Sequence, residues 1–271
     1  MSDPDALRAF GQQVDFGRTA SDYSTHRAGF PPAFFAALTA RGYLTPGQTA
    51  IDLGTGTGTI ARGLAQAGLH VTALDIAPDL LTAAAALDAK ARVQVIYTEA
   101  PSEATGLPDH SVDLLTAGQC WHWFDRPRAA SEAYRLLRPD GRILIAHFDW
   151  LPLPGSLVAA TEALILRYNP DWAGAGGSGL YPDWLSDLAE AGFQSIETAS
   201  FDVTQSYSHA AWRGRIRASA GVAASLGADA VAEFDAELAA MMECYFNGDP
   251  AQIPHRVWWV TARKPKGPPP K

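Results

Sequence analysis

Two stretches of this chain carry residues whose types and spacing can do chemistry. The first is Asp52-Leu53-Gly54-Thr55-Gly56-Thr57-Gly58, followed by Val71-Thr72-Ala73-Leu74-Asp75. An apolar run enters a loop of alternating glycines. A helical pattern follows through Ile60, Ala61, Leu64 and Ala65, and a second apolar run ends on an acid. Glycine lacks a Cβ and tolerates positive φ, so this loop lets the backbone approach a nucleotide-like ligand, with the acid where a ribose would lie. One reading puts a pyrophosphate on the loop and the helix N-terminus, because Gly56-Thr57-Gly58-Thr59-Ile60-Ala61 satisfies the dinucleotide pattern G-x-G-x-x-A. A second gives the loop an uncharged nucleoside-linked amino-acid tail. A third uses the glycines only for a tight strand-to-helix turn.

The second stretch is Trp121-His122-Trp123-Phe124, which follows the apolar run Val112 to Ala117. It falls at the carboxyl edge of the expected sheet, where ligands bind in such folds. Aromatic faces attract a cation by about 0.5–2 kcal/mol, and the same rings also serve as plain core. His122 titrates near neutrality in the absence of perturbation and is the first candidate general base; His26 is the second. His209 and His255 read as structural. Trp212-Arg213-Gly214-Arg215-Ile216-Arg217 puts three arginines on an expected helix. Residues two apart do not share a helix face, so at most one or two point inward, and Arg213 or Arg217 is the candidate grip for an anionic acceptor. Cys120 and Cys244 do not form a zinc motif, and neither H-E-x-x-H nor G-x-S-x-G occurs, so no metal site and no nucleophile elbow is expected.

The elements that must position these residues alternate. Helices are expected over 31–41, 59–67, 78–87 and 128–137, and strands over 49–53, 71–75, 93–97, 112–117 and 142–148. Pro139-Asp140-Gly141 stops the helix before the fifth strand. Beyond Trp150 come a helix over 157–168, a glycine-rich run over 169–179, a helix over 182–191, a sixth strand over 193–203, a mostly helical stretch over 212–246 and a closing strand over 256–262. Strands alternating with helices imply a parallel, doubly wound α/β sheet.

Bulk properties narrow the partners. The chain has 271 residues, 47% hydrophobic, with a net charge of -8 and no long Lys/Arg run, which disfavours nucleic acid. Two cysteines give no disulfide framework, and the polar start Met1-Ser2-Asp3-Pro4-Asp5 is unlike a signal peptide. No apolar run is long enough for a bilayer span. The expectation is a cytoplasmic protein, monomer or homodimer, without membrane or nucleic-acid partners.

The glycine loop, Val112-Asp113-Leu114-Leu115, and Leu136-Leu137-Arg138-Pro139-Asp140-Gly141-Arg142-Ile143-Leu144-Ile145 resemble, in order and spacing, the class I S-adenosylmethionine (SAM) dependent methyltransferases. Ser102-Glu103-Ala104-Thr105-Gly106-Leu107-Pro108, Gln119 to Asp125, and Phe16-Gly17, Tyr23, His26-Arg27 and Phe30-Pro31 make the chain most similar to the small-molecule branch that includes the trans-aconitate-type enzymes. The pattern leads one to expect glycine where Asp140 stands, a replacement that a turn accepts.

The resemblance implies a Rossmann-like, seven-stranded, doubly wound, mostly parallel sheet with a reversed last strand and a helical cap. It implies one domain over 1–271: an N-terminal lid (1–35), a SAM-binding core (36–150), cap segments (151–182 and 204–255) and a disordered tail (264–271). Asp52, Gly54, Thr55, Gly56 and Gly58 would line the amino-acid part of SAM, Asp75 its ribose hydroxyls, Ile76, Glu103 and Ala104 its adenine, and Gln119 its methionine part. Tyr23 and Arg27 would close the site. Trp121, Trp123, Trp150, Trp172, Tyr181 and Arg213 would bind the acceptor, with Glu162 and Asn169 helping to shape its pocket. The implied activity is direct methyl transfer to a small molecule, leaving S-adenosylhomocysteine (SAH). The rivals are an NAD-dependent oxidoreductase and a SAM-binding domain without catalysis.

Overall fold

The computed structural model describes residues 29–223 and 225–267. Its elements in chain order are α1 (Pro32–Ala40), β1 (Thr49–Leu53), α2 (Thr59–Gln66), β2 (His70–Asp75), α3 (Pro78–Ala91), β3 (Val95–Glu99) and β4 (Val112–Gly118). A 3-10 turn over Trp121–Trp123 leads to α4 (Arg126–Leu136), β5 (Leu137–Trp150), α5 (Leu157–Tyr168), α6 (Asp183–Glu190), β6 (Gln194–Tyr207), α7 (His209–Arg217), α8 (Ala228–Tyr245) and β7 (Ala251–Arg263). The seven strands lie in the order β3-β2-β1-β4-β5-β7-β6. β7 runs antiparallel to both β5 and β6, so the last strand is the reversed one, as expected. The order reverses between β1 and β4, and the crevice beyond their carboxyl ends is where such sheets bind ligands.

Local chemistry starts the helices. Pro78 occupies the first turn of α3, where its missing N–H costs nothing. Asp125 caps α4 by accepting the Arg128 N–H at 3.3 Å, and Ser156 caps α5 by accepting that of Ala159 at 3.1 Å. Apolar burial then stacks the layers. On one sheet face Trp121, Trp184 and Trp258 pack with Ile51, Leu53 and Ile145. On the other, Phe34, Leu38, Ile60 and Leu64 pack with Trp259. A third cluster, with Trp172, Trp212, Phe234 and Met242, is the core of a cap built from α5, α7 and α8.

The structure adjusts several boundaries. The third strand lies two residues later than expected. β5 starts at Leu137 rather than Arg142, because Leu137 pairs with Val112 before the register shifts. Asp140 has φ 67°, a left-handed conformation that glycine adopts freely and Asp tolerates, which explains the replacement noted above. The mostly helical stretch over 212–246 resolves into two helices with turns between them; Gly227 provides the N-cap of α8. Phe34 contacts Trp259 edge-on at 5.9 Å, and Trp259 is fully buried. Trp259→Ala is expected to cost about 3–5 kcal/mol in urea unfolding. A loss under about 1 kcal/mol would contradict close packing of α1 on the sheet.

Candidate active site

The glycine loop leaves β1 at the sheet's carboxyl edge. Gly54 has φ 58°, and a Cβ there would stand 2.8 Å from Phe124 Cζ and 2.9 Å from Cys120 Sγ. Gly56 has φ 55°, and no atom of the described residues lies within 4 Å of where its Cβ would be, so among those residues it presents bare backbone. Gly58 is the N-cap of α2. Asp75, at the end of β2, points at this loop: its Oδ2 accepts the Gly56 N–H at 2.8 Å and its Oδ1 that of Ala77 at 3.0 Å. Burial raises its pKa above the usual carboxylate value, against the backbone N–H groups of Gly56, Ala77 and Ile76. The Arg62 guanidinium donates to the Thr57 carbonyl at 2.9 Å and pairs with Asp88 at 2.8 Å, bracing the loop from α2.

Asp52 lies under the loop, 2% exposed, and accepts the hydroxyls of Thr55 at 2.6 Å and Thr116 at 2.7 Å. Its oxygens brace the loop from below. Ile76 is 59% exposed beside Asp75. Glu103 accepts the Asp125 N–H at 2.9 Å, and Ala104 is exposed. Gln119 sits at φ 60° after β4; its side chain donates to the Phe148 carbonyl at 2.9 Å, tying the ends of β4 and β5 together. Tyr23, His26 and Arg27 lie outside the described residues.

The aromatic run divides. Trp121 is fully buried and donates its indole N–H to Asp187 at 2.9 Å. It belongs to the core rather than to the wall expected of it, because the 3-10 turn directs its ring inward. Trp123 is half-buried and contacts His122 at 4.7 Å between ring centroids.

Beside His122 lies a pair that the sequence reading did not single out. The His147 ring is 5.4 Å from that of His122. Its Nδ1 is 2.8 Å from Asp149 Oδ1, and Tyr181 donates its hydroxyl to Asp149 Oδ2. Burial opposes ionisation of Asp149, but the His147 ring, the Tyr181 hydroxyl and the nearby His122 outweigh it and hold the carboxyl at about 2. The signal was present in His147-Phe148-Asp149: alternate residues of a strand share a face, here at the carboxyl end of β5.

The cap supplies the rest. Trp150 donates its indole N–H to Glu162 at 2.7 Å, and the other Glu162 oxygen accepts the Gly176 N–H at 2.8 Å, fastening the glycine-rich run to α5. Arg213 and Arg217, one helical turn apart on α7, share Asp235, which takes both ends of the Arg213 guanidinium. The expected anionic grip is therefore engaged by a carboxylate of α8. Arg215 instead lies over the Trp150 ring at 4.9 Å from its centroid. Trp172 is 8% exposed within the cap core, and Asn169 donates to the Gly221 carbonyl at 3.2 Å. His255 is buried, and burial pushes its pKa down to about 4, as befits a neutral structural histidine. No group of His, Cys, Asp and Glu able to hold a metal occurs among the described residues.

This architecture is that of the class I methyltransferases. A family model described as a methyltransferase domain matches residues 51–145. An uncharacterized methyltransferase of Mycobacterium tuberculosis (strain ATCC 25618 / H37Rv) is 35% identical over 132 residues, 48% of this chain and 50% of that protein. The malonyl-(acyl-carrier protein) O-methyltransferase of Serratia marcescens is 33% identical over 132 residues, 48% and 50% of the two chains. The chain thus spans about half the length of the curated relatives it matches. A solved phosphoethanolamine N-methyltransferase 2 of Haemonchus contortus, in complex with S-adenosyl-L-methionine, superposes with a TM-score of 0.55 at 20% identity, covering 97% of this chain and 60% of that one.

Burial raises the Asp52 carboxyl from 3.8 to about 6, against the hydrogen bonds from Thr55, Thr116 and the Ala61 backbone. A carboxyl that binds its proton more tightly when folded contributes stability that is full below about pH 4 and lost as pH rises through about 6. Asp52→Asn removes this titration. Relative to wild type, its unfolding temperature is expected to rise by about 3–5 °C between about pH 5 and pH 8, the equivalent of roughly 1.5 kcal/mol. Scanning fluorimetry across that range checks it, and a pH-independent difference would contradict it.

Proposed function

We propose that this chain is a SAM-dependent methyltransferase acting on a small-molecule acceptor. The observation that carries the reading is the Asp75 carboxylate, aimed at a loop whose Gly56 offers bare backbone among the described residues. The cradle fits an adenosyl ligand: Asp75 has the two oxygens a ribose diol needs, and exposed Ile76 stands beside it for the base. The electrostatics favour a sulfonium over a pyrophosphate. Asp52 and Asp75 put two carboxyls next to the loop, and the Arg62 guanidinium that braces it is paired with Asp88. A bound SAM supplies a methyl group on a cationic sulfur, a leaving group that needs no protonation.

The chain's own contribution is position and exclusion. Holding an acceptor in line with the methyl carbon supplies much of the rate in a displacement of this kind. The core over 36–150 would hold the cofactor. The cap segments over 151–182 and 204–255 would shape the acceptor pocket, with Trp123, Trp150 and Tyr181 as its walls. The N-terminal segment over 1–35, with Tyr23 and Arg27, would close it. The protein would work in the cytoplasm as a monomer or homodimer.

Calorimetry with SAM, SAH and NAD tests the cofactor. SAM and SAH are expected to bind and NAD is not; NAD binding without SAM binding would contradict the reading. Asp75→Ala is expected to weaken SAH by about 10- to 100-fold, the worth of hydrogen bonds to a charged group. Transfer of labelled methyl from SAM to a panel of small hydroxyl, amine and carboxylate compounds tests the reaction.

A further inference from the structure

We infer that His147, oriented by Asp149 and Tyr181, is the base that takes a proton from the acceptor, and that the acceptor is therefore a proton-bearing group such as a hydroxyl rather than a carboxylate. The inference rests on the methyltransferase reading above and deepens it. His122 and His26 were the bases expected from the sequence; the geometry favours a third imidazole.

Three observations converge. First, His147 Nδ1 lies 2.8 Å from Asp149 Oδ1 and 3.1 Å from the Tyr181 hydroxyl, which donates its own proton to Asp149 Oδ2. An ionised carboxylate only accepts and the Tyr181 proton is already engaged, so a proton of His147 sits on Nδ1; in the neutral ring the lone pair is then on Nε2. Second, Nε2 of His147 is buried and has no hydrogen-bond partner among the described residues. A buried polar atom left unmatched costs about 1–3 kcal/mol, and a catalytic role is one of the explanations for retaining it. Third, the cluster stands at the carboxyl ends of β4 and β5, with the His122 ring 5.4 Å away and Tyr181 stacked on Trp184. The groups facing His147 are Asp149 from its own strand, His122 from the turn after β4, and Tyr181 with Trp184 from the start of α6.

The charges select the acceptor. Asp149 is ionised, and Glu162 contributes to the same field. A second carboxylate brought here would meet repulsion and would have no proton to give. A hydroxyl has one. Its oxygen lone pair forms the O–CH3 bond as the C–S bond breaks and that pair returns to sulfur. The hydroxyl proton passes to His147 Nε2, and the imidazolium so formed is stabilised by Asp149. Asp149 and Tyr181 are positioning residues; His147 touches the reacting hydroxyl.

The test uses the full chain labelled with 15N-histidine. Long-range proton–nitrogen correlation, assigned by the signals lost in His147→Gln, is expected to show the Nδ1–H tautomer of His147 with Nε2 bare. Asp149→Asn should abolish that preference. With SAM and the acceptor panel, transfer is expected to hydroxyl compounds. Asp149→Asn and His147→Gln should lower kcat by about 10²- to 10⁴-fold with SAH affinity unchanged. Tyr181→Phe keeps the ring and should lower kcat by about tenfold at an unchanged unfolding temperature, which guards against mere misfolding in the other variants. An Nε2–H tautomer in the wild-type chain, transfer confined to carboxylates, or full turnover in His147→Gln would each overturn the inference. A chain that binds no SAH fails the parent reading instead, and the tautomer measurement still decides the state of His147.

Discussion

The site depends on one hydrogen bond between main chain and side chain: the Gly56 N–H held by Asp75 at 2.8 Å. It joins the loop after β1 to the end of β2. It also fixes the direction in which the Asp75 carboxylate points. Two further constraints make the bond possible. Gly54 must adopt positive φ where any Cβ would strike Phe124 and Cys120. Asp52 must stay buried beneath the loop to hold Thr55 and Thr116. Burial of a carboxyl is costly, and here the cost is localised where it shapes a ligand cradle. The sheet provides the rigidity, since β1 is an inner strand paired on both sides, with β2 and β4.

The second half of the site grows from β5. That strand continues past the sheet's central layer to Trp150 and so presents His147 and Asp149 on one face beyond the cofactor cradle. Tyr181, just before α6, reaches Asp149, and Trp150 passes the connection on to Glu162 and the glycine-rich run. The turn after β4 and the cap are thus linked through the end of β5. A fold shared with many chemistries acquires its particular one from such additions at the carboxyl edge.

Much of this was legible in the residues. The glycine loop and Asp75 are local in sequence, and their geometry follows from the strand–loop–helix unit they form. The reversed last strand and the cap followed from the family resemblance. What escaped reading required knowledge of facing. Arg213, Arg215 and Arg217 are equivalent on paper, but helical periodicity sends the outer two to Asp235 and the middle one to Trp150. Trp121 and Trp123 are two residues apart, and only the 3-10 turn decides which ring enters the core. His147 and Asp149 sit in an apolar strand that reads as buried, and their partner Tyr181 is 32 residues away from Asp149. Long-range pairing of that kind leaves no local signature.

The most direct measurement of the central claim is a crystal structure of the chain with SAH. The account predicts the adenosyl group over the glycine loop, with the ribose hydroxyls on Asp75 and the adenine against Ile76. SAH bound away from that loop, or an Asp75 carboxylate turned from the ribose, would contradict it.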